Sequence, residues 1–174
     1  MLAPSFRGGL RVATPADAAE VARLLHDFNS EFGEPSPGLE VLTGRLGALL
    51  AGDMTLAVLA GDPPVGLALV TLRSNVWYDG PVALFDEMYV VPSWRDRGVG
   101  SALLELCCEL VGRRGVELVE IDVDGEDIDA RRFYERHGFS CVSGSHGEPE
   151  LRYSCELPAP GGPGGRGSLG SGER

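Results

Sequence analysis

Basic side chains, long apolar runs and cysteines are all scarce in this sequence of 174 residues. The 15 lysine and arginine residues are outnumbered by 26 aspartate and glutamate residues, and the formal net charge is −11. That charge disfavours nucleic acid and anionic membranes as partners, because both are bound mainly through basic side chains. No apolar run approaches the roughly 20 residues that span a bilayer. The first 15 residues also lack the apolar core of a secretory signal.

The four cysteines form no C-x-x-C pair and show no metal-like spacing with the three histidines, so no metal site is predicted. Cys107 and Cys108 are adjacent within a helical pattern. This is typical of packing residues rather than of a disulfide framework. Reduced thiols in a cytoplasmic protein are the simplest interpretation.

The sequence does contain a regular succession of strand and helix patterns. Thr14 suits the N-cap of the first helix, Pro15 suits its first position, and Asp17 follows the cap by three residues. This helix is broken by residues 33–38, which are rich in glycine and proline. Three more helices are predicted over residues 39–50, 98–113 and 127–137. Strands are predicted over residues 10–13, 55–60, 65–72, 82–91, 116–123, 139–142 and 150–156.

This order predicts one mixed α/β (α+β) domain over residues 1–157, with a central sheet of about six to seven strands flanked by about four helices. A hydrophobic content of 43% suits a sizeable core. Residues 158–174 contain seven glycines and three prolines, and we predict that they form a disordered tail.

The stretch VVPSWRDRGVGSALL, residues 90–104, combines an apolar strand, a loop with two glycines and the start of a helix. A helix N-terminus carries unpaired N–H groups and a partial positive charge, and glycines let a ligand approach that backbone. Gly98 and Gly100 therefore indicate an anion site suited to phosphate, or else close packing of a helix on a strand. A P-loop is excluded because its lysine is missing. A dinucleotide fingerprint would need glycine where Leu103 stands.

The longer string EMYVVPSWRDRGVGSALL resembles the acetyl-CoA-binding motif of the GNAT superfamily of N-acetyltransferases. The family pattern is Q/R-x-x-G-x-G/A, and Arg95, Gly98 and Gly100 match it. Val90 and Pro92 match the V-x-P that precedes the pattern. The resemblance covers roughly residues 10–156. It implies the GNAT fold, in which the fourth and fifth strands splay apart to hold acetyl-CoA.

A second segment, EDIDARRFYERHGF at residues 126–139, resembles the family's later N-x-x-A-x-x-F-Y-x-x-x-G-F motif. The sequence departs from the pattern at Asp127, where the family often has asparagine. A carboxylate at this position would repel phosphate unless it is turned away. The residues that match are Ala130, Phe133, Tyr134, Gly138 and Phe139.

The resemblance also implies how acetyl-CoA, the co-substrate, is bound. Backbone at the end of the fourth strand would pair with the pantetheine arm, and N–H groups of the following loop would wrap the pyrophosphate. Two arginines would either add charge near the phosphates or lie at the solvated surface. The implied cofactor-binding residues are Met88, Tyr89, Val90, Arg95, Asp96, Arg97, Gly98, Val99, Gly100, Ser101 and Asp127.

The implied reaction is direct attack by a primary amine on the thioester, so no cysteine or serine nucleophile is expected. An alkylammonium has a pKa of about 10.4 and must first lose a proton, which a carboxylate can accept. Asp86, Glu87 and Asp122 are the candidate bases, and Glu87 is preferred. Successive strand residues face opposite sides, so Asp86 and Glu87 are not expected to face the same cleft. Tyr134 matches the family's general acid for the departing thiolate.

The acceptor site in this family is built by the first two helices and their connection, which here is residues 25–40. Asp27, Glu31 and Glu34 make this stretch acidic, and we expect a cationic small molecule or an exposed peptide amine as acceptor. Two other functions stay open, namely a module that binds acyl-CoA without transferring the acyl group and a nucleotide-phosphate-binding protein. The sequence also leaves a homodimer open.

Overall fold

Five strands form one sheet in the computed structural model, which describes residue 6 and residues 8–140 of the chain. The strands follow one another across the sheet in the order β1-β2-β3-β4-β5. Neighbours are antiparallel except for β4 and β5, which are parallel. The strands are β1 (Leu10–Val12), β2 (Thr55–Gly61), β3 (Pro64–Arg73), β4 (Val82–Val90) and β5 (Leu118–Ile121).

Four α-helices flank the described sheet, as the sequence predicts. The expected start of the first helix is confirmed, because the Asp17 carboxylate accepts hydrogen bonds from the Thr14 N–H at 2.8 Å and from its hydroxyl at 2.9 Å. A short 3-10 turn over Pro15–Asp17 leads into this helix. The helices are α1 (Ala18–Phe32), α2 (Leu39–Leu50), α3 (Val99–Gly112) and α4 (Ile128–Arg136).

Each face of the sheet has its own apolar core. On one face, Phe85 of β4 packs in a buried cluster with Leu103 of α3 and Tyr134 of α4. On the other face, Leu67 of β3 packs in a second cluster with residues of α1 such as Leu24. The sheet therefore separates α3 and α4 on one side from α1 and α2 on the other.

The mixed α/β fold is confirmed, although the described residues contain five strands where about six to seven were predicted for the whole domain. Phe139 and Ser140 do not form a strand, so the start of the predicted strand over 139–142 is wrong. The rest of that strand, the strand over 150–156 and the tail over 158–174 lie outside the described residues. Within the part of the chain that is described, no helix is long and apolar enough to cross a membrane.

The predicted splay of the fourth and fifth strands is present. Parallel pairing of β4 with β5 begins at Val82 and Leu118 and ends at Phe85 and Ile121. Strand β4 continues to Val90 with β3 as its paired neighbour. Within the described residues, the second half of β4 therefore has no strand paired along the edge on the side of β5.

Gly66 of β3 lies where α3 packs on the sheet. A Cβ at this position would lie 2.9 Å from Cγ1 of Val99 and 3.1 Å from Cδ1 of Leu103. Gly66→Ala should overpack this contact and lower the free energy of unfolding by about 1–3 kcal/mol. Urea denaturation of the variant and the parent protein measures the difference.

The control is Gly44→Ala within α2, where an added Cβ meets nothing within 4 Å. This change should raise the free energy of unfolding by about 0.5–1 kcal/mol, because alanine loses less backbone entropy in a helix. Equal stability of Gly66→Ala and the parent protein would argue against the close packing of α3 on β3.

Candidate active site

A cleft of about 790 Å³ runs along the unpaired half of β4. Its walls come from the end of β4, the first turn of α3, one side of α4 and the end of α1. Most of the predicted site residues lie in these walls, but Asp86, Glu87, Arg97 and Asp122 do not. The predicted residues that the cleft brings together are Met88, Tyr89, Val90, Arg95, Asp96, Gly98, Val99, Gly100, Ser101, Asp127 and Tyr134.

The loop before α3 presents backbone N–H groups to this cleft. Gly98 caps α3 in a left-handed conformation with φ of 78°, and no side chain caps the helix. Asp96 also has a positive φ, of 57°. The first N–H bonded within the helix in this region is that of Ala102, which donates to Gly98 O at 3.1 Å. The N–H groups of Trp94 and Arg95 are bonded to Val91 O and Pro92 O, but within the described residues those of residues 96–101 have no such bond and are open to an anion, as helix N-termini commonly provide.

Gly100 lies where the first turn of α3 contacts α4. A Cβ at this position would lie 3.4 Å from two ring atoms of Phe133. The same ring stacks against His137, with ring centroids 4.4 Å apart. His137 Nδ1 lies 2.7 Å from Phe133 O and Nε2 lies 2.9 Å from Ser101 Oγ. Because a carbonyl only accepts, Nδ1 is the donor to Phe133, and α4 is thereby tied to the first turn of α3.

The two arginines of the loop are both engaged with protein groups. Arg95 Nε donates to Val90 O at 3.0 Å, and Nη2 lies 2.8 Å from each carboxylate oxygen of Glu31. The Arg97 guanidinium lies over the Trp94 ring, 5.2 Å from its centroid, and lines a neighbouring pocket of about 700 Å³. The sequence left two alternatives for these arginines, namely added charge near the phosphates or a place at the solvated surface. Arg95 fits neither fully, because it links α1 to the end of β4.

Asp127 has a structural role that its departure from the motif did not suggest. It is the N-cap of α4, and its Oδ1 accepts a hydrogen bond from the Ala130 N–H at 2.9 Å. A carboxylate at this position satisfies an otherwise unpaired helix N–H and interacts favourably with the helix dipole. The side chain also lines the cleft, so its charge acts on the site while it caps the helix.

Tyr134 is held in the cleft with its side chain 9% exposed. Its ring makes edge contacts with Phe133 and Phe139, with centroids 5.1 and 5.7 Å away. Burial raises the pKa of the Tyr134 phenol, and the negative charges of Asp127 and Glu87 raise it further. The phenol therefore stays protonated at neutral pH and is suited to donate a proton.

The three candidate carboxylates lie in different surroundings. Asp122 is exposed just after the end of β5. Asp86 is also exposed, and Glu87 is half-buried. Burial raises the pKa of the Glu87 carboxyl, and the charge of Asp86 raises it further. A half-buried carboxylate with a raised pKa is the better general base near neutral pH, so the surroundings favour Glu87.

The expectation that Asp86 and Glu87 face opposite sides does not hold, because β4 contains a bulge. Leu69 of β3 is opposite Glu87 and Val70 is opposite Phe85, so Asp86 is an extra residue. Phe85 and Met88 both pack in the core on the α3 side. The two residues between them therefore lie on the α1–α2 side, which strict alternation excludes.

The end of α1 is less acidic than its sequence suggests. Asp27 pairs with Arg23 at 3.0 Å, and Glu31 is the partner of Arg95. Aromatic rings occupy much of this part of the cleft. Phe28 lies with its centroid 5.0 Å from that of Phe32. The end of α1 therefore combines paired charges with apolar surface.

Several cleft residues escaped the sequence reasoning. Phe28 belongs to the apolar stripe of α1, and that pattern indicated only a core position. In the structure its ring lines the cleft, with its centroid 5.7 Å from that of the Tyr89 ring. Phe32, Trp94 and Arg136 also line the cleft. Trp94 lies within the quoted motif, so its position next to the glycine loop was the available signal. Arg136 lies within the second quoted segment and Phe32 within the stretch 25–40, but neither residue was singled out there.

Cys107 and Cys108 behave as packing residues. Cys107 is fully buried in the core between α3 and the sheet. Burial raises the pKa of its thiol to about 12, and burial also raises the pKa of Cys108. Neither thiol forms an appreciable thiolate at neutral pH, which agrees with the expectation that no cysteine acts as nucleophile.

The chain matches known acetyltransferases. The sequence model of the acetyltransferase (GNAT) family matches residues 21–139. Mycothiol acetyltransferase of Beutenbergia cavernae is 33% identical over 151 residues, which are 82% of this chain and 49% of that protein. The chain thus spans about half the length of this relative.

Solved structures show the same fold. A proposed acetyltransferase of Arthrobacter sp. FB24 is 56% identical with a TM-score of 0.79, over 86% of this chain and 96% of that chain. An aminoglycoside acetyltransferase from an uncultured soil metagenomic sample is 18% identical with a TM-score of 0.72, over 86% and 96% of the two chains. At that identity the second likeness concerns the fold alone. The fold and the matches are those of an acetyltransferase family. The chain belongs to the GNAT family of acetyltransferases.

Gly100→Val tests the assignment of the phosphate loop. The added side chain would meet the Phe133 ring and push α3 and α4 apart at the cleft. The affinity for CoA, measured by titration calorimetry, should fall roughly tenfold to a hundredfold, which corresponds to an overpacking cost of about 1–3 kcal/mol.

Gly112→Val at the other end of α3 is the matched control, because a Cβ there meets nothing within 4 Å. It should leave the affinity for CoA unchanged. If Gly100→Val folds normally and binds CoA as the parent protein does, the loop is not the pyrophosphate site.

Proposed function

We propose that this chain transfers an acetyl group from acetyl-CoA to a primary amine by direct attack of the amine on the thioester. One observation carries the proposal. The free edge of β4, the open N–H groups before α3 and the protonated Tyr134 phenol all border a single cleft. These are the groups needed to hold an extended thioester with a pyrophosphate and to protonate its leaving sulfur.

The residues of the cleft fit acetyl-CoA. The β4 backbone beyond Phe85 has an edge that β5 does not use, so the pantetheine amides have a strand to pair with. The N-terminus of α3 suits a pyrophosphate, because its N–H groups and its dipole both favour negative charge. When bound, acetyl-CoA supplies an activated acetyl thioester. The chain supplies orientation, a base and an acid.

Glu87 is the proposed base, acting directly or through a water molecule. Its ionised carboxylate accepts one proton from the ammonium of the acceptor, which leaves a neutral amine with a lone pair able to attack. The raised pKa of this carboxyl favours that transfer. Glu87 lies on the α1–α2 side of β4, where the acceptor is expected, and not in the wall of the cofactor cleft.

Tyr134 is the proposed acid. Its hydroxyl donates a proton to the CoA sulfur as the bond between carbon and sulfur breaks, and the phenol is then restored from solvent. Overall the ammonium nitrogen loses two protons. The first leaves through Glu87 before the attack, and the second passes from nitrogen to solvent after the bond between nitrogen and carbon forms, which matches the proton that solvent returns to the phenol.

The acceptor is proposed to be a primary amine with both a cationic and an apolar part. Asp86 and Glu87 give the α1–α2 side of β4 a negative charge that attracts ammonium. Phe28 and Phe32 of α1 offer apolar surface in the wall of the cleft. Relatives named mycothiol acetyltransferase and aminoalkylphosphonate N-acetyltransferase indicate that related chains differ in their acceptors. A peptide amine and a small molecule both fit this description.

The second candidate, a module that binds acyl-CoA without transfer, rested on the departure at Asp127. The hydrogen bond by which Asp127 caps α4 explains why a carboxylate stands at this position, and it does not imply a loss of catalysis. Transfer is therefore the function that the geometry supports best. A cytoplasmic location and a homodimer stay predictions from the sequence.

An amine panel tests the transfer. We expect release of free CoA thiol from acetyl-CoA that depends on the added amine, with amines that carry an apolar or aromatic group, such as tyramine, preferred over spermidine and kanamycin. The chain contains no lysine, so side-chain amines of the protein cannot contribute to the background. Tight CoA binding without thiol release for any amine, a dipeptide included, would favour the binding module.

Tyr134→Phe tests the acid. This change removes the phenolic proton and keeps the ring contacts with Phe133 and Phe139. Turnover should fall roughly 100-fold or more, which is the scale of lost general acid catalysis, while the affinity for CoA stays nearly unchanged. Steady-state kinetics and calorimetry measure the two quantities. Turnover equal to that of the parent enzyme would remove Tyr134 from the mechanism.

A further inference from the structure

The bulge in β4 brings two consecutive carboxylates to one face of the sheet. In a regular strand, Asp86 and Glu87 would project to opposite sides. Here both lie between Phe85 and Met88, which pack on the α3 side, so both are on the face covered by α1 and α2. This face has no other pair of adjacent carboxylates within β4.

A hydrogen bond from the neighbouring strand holds the first of these carboxylates. The hydroxyl of Thr71 on β3 donates to Oδ2 of Asp86. Thr71 alternates with Leu67 and Leu69, which pack on the α1 side, so the bond lies on the same face as Glu87. The donor restricts the rotation of an otherwise exposed side chain.

We propose that Thr71 is a positioning residue that fixes the Asp86 carboxylate beside Glu87, and that the two carboxylates act as a pair in which Asp86 keeps Glu87 a strong enough base. The inference rests on the proposed function of Glu87 and deepens it. Thr71 does not touch the substrate. It acts through Asp86, and Asp86 acts through its charge.

The physical basis is repulsion between neighbouring negative charges. A carboxylate next to a fixed negative charge holds a proton more tightly than an isolated one. Asp86 is exposed and accepts a hydrogen bond from Thr71, whereas Glu87 is half-buried. The proton taken from the acceptor therefore belongs on Glu87, and Asp86 stabilises it there.

Other charged groups near this face do not replace that effect. Next to Thr71, β3 carries Arg73, which is paired with Glu120 of β5. On α1, Asp27 and Glu31 are each held in an ion pair with an arginine. From α4, the Tyr134 phenol is neutral. The fixed negative charge that acts on Glu87 is that of Asp86.

The test follows the titration of Glu87 by carbon NMR of protein labelled at glutamate carboxyls, with the Glu87 signal identified by its loss in Glu87→Gln. Asp86→Asn should lower the Glu87 titration midpoint by about 0.5–1 pH unit, because the repelling charge is gone. Thr71→Val should lower it in the same direction by a smaller amount. Thr71→Ser, which keeps the hydroxyl, should restore it.

Activity gives a second readout. The acid limb of the profile of kcat against pH reports the base in the complex with saturating substrates. With the best amine of the panel, this limb should move to lower pH in Asp86→Asn and in Thr71→Val, because a weaker base stays ionised to lower pH. Thr71→Ser should keep the limb of the parent enzyme.

Two controls match these changes. Thr55→Val removes a hydroxyl from the residue of β2 that pairs with Thr71. Asp79→Asn removes one exposed carboxylate from the loop between β3 and β4. Both should leave the Glu87 midpoint and the acid limb unmoved.

The outcomes separate the two ideas. An unmoved Glu87 midpoint in Asp86→Asn and Thr71→Val overturns the pairing. In Thr71→Val, kcat could instead fall by the same factor at every pH while the acid limb of the profile does not move. That result would assign Thr71 a purely structural role and would also overturn the pairing. Full activity of Glu87→Gln overturns the base in the proposed function, and a shifted midpoint in the same set of proteins then still supports the pairing itself.

Discussion

The separation of β4 from β5 after Phe85 and Ile121 is the constraint on which the site depends. A bulge bends a strand and increases its local twist. In β4 the bulge at Asp86 follows directly after Phe85, the residue at which the pairing with β5 stops. Continued pairing would have used the backbone edge that borders the cleft. One extra residue in one strand therefore opens the groove and changes which side chains face it.

The close packing of α3 on the sheet fixes the other wall of the groove. Gly66 allows Val99, the first residue of α3, to approach β3. The first turn of the helix is thereby held next to the end of β4, and Gly100 lets α4 approach it from the other side. Small residues on both sides of this turn keep its N–H groups in place relative to Tyr134.

Features encoded in a local stretch could be read from the sequence, and features that depend on two distant stretches could not. The cap at Thr14, the glycine loop before α3 and the motif around Tyr134 each lie within a few residues, and each has a counterpart in the structure. The bulge at Asp86 depends on the register between β3 and β4, which no single strand reveals. The same holds for the ion pair between Arg95 and Glu31, whose partners are 64 positions apart.

That ion pair has a consequence for how the two substrates would influence each other. Arg95 lies in the loop before α3, where we propose that the pyrophosphate binds, while Glu31 belongs to α1, where we propose that the acceptor binds. An anion that draws the guanidinium toward the loop weakens its hold on Glu31 and leaves a less compensated carboxylate at the other end. Thermodynamic linkage makes such an effect reciprocal, so a cation bound near Glu31 would change the affinity for the anion by the same factor. A single shared charge can in this way couple the affinities of two ligands without any movement of the fold.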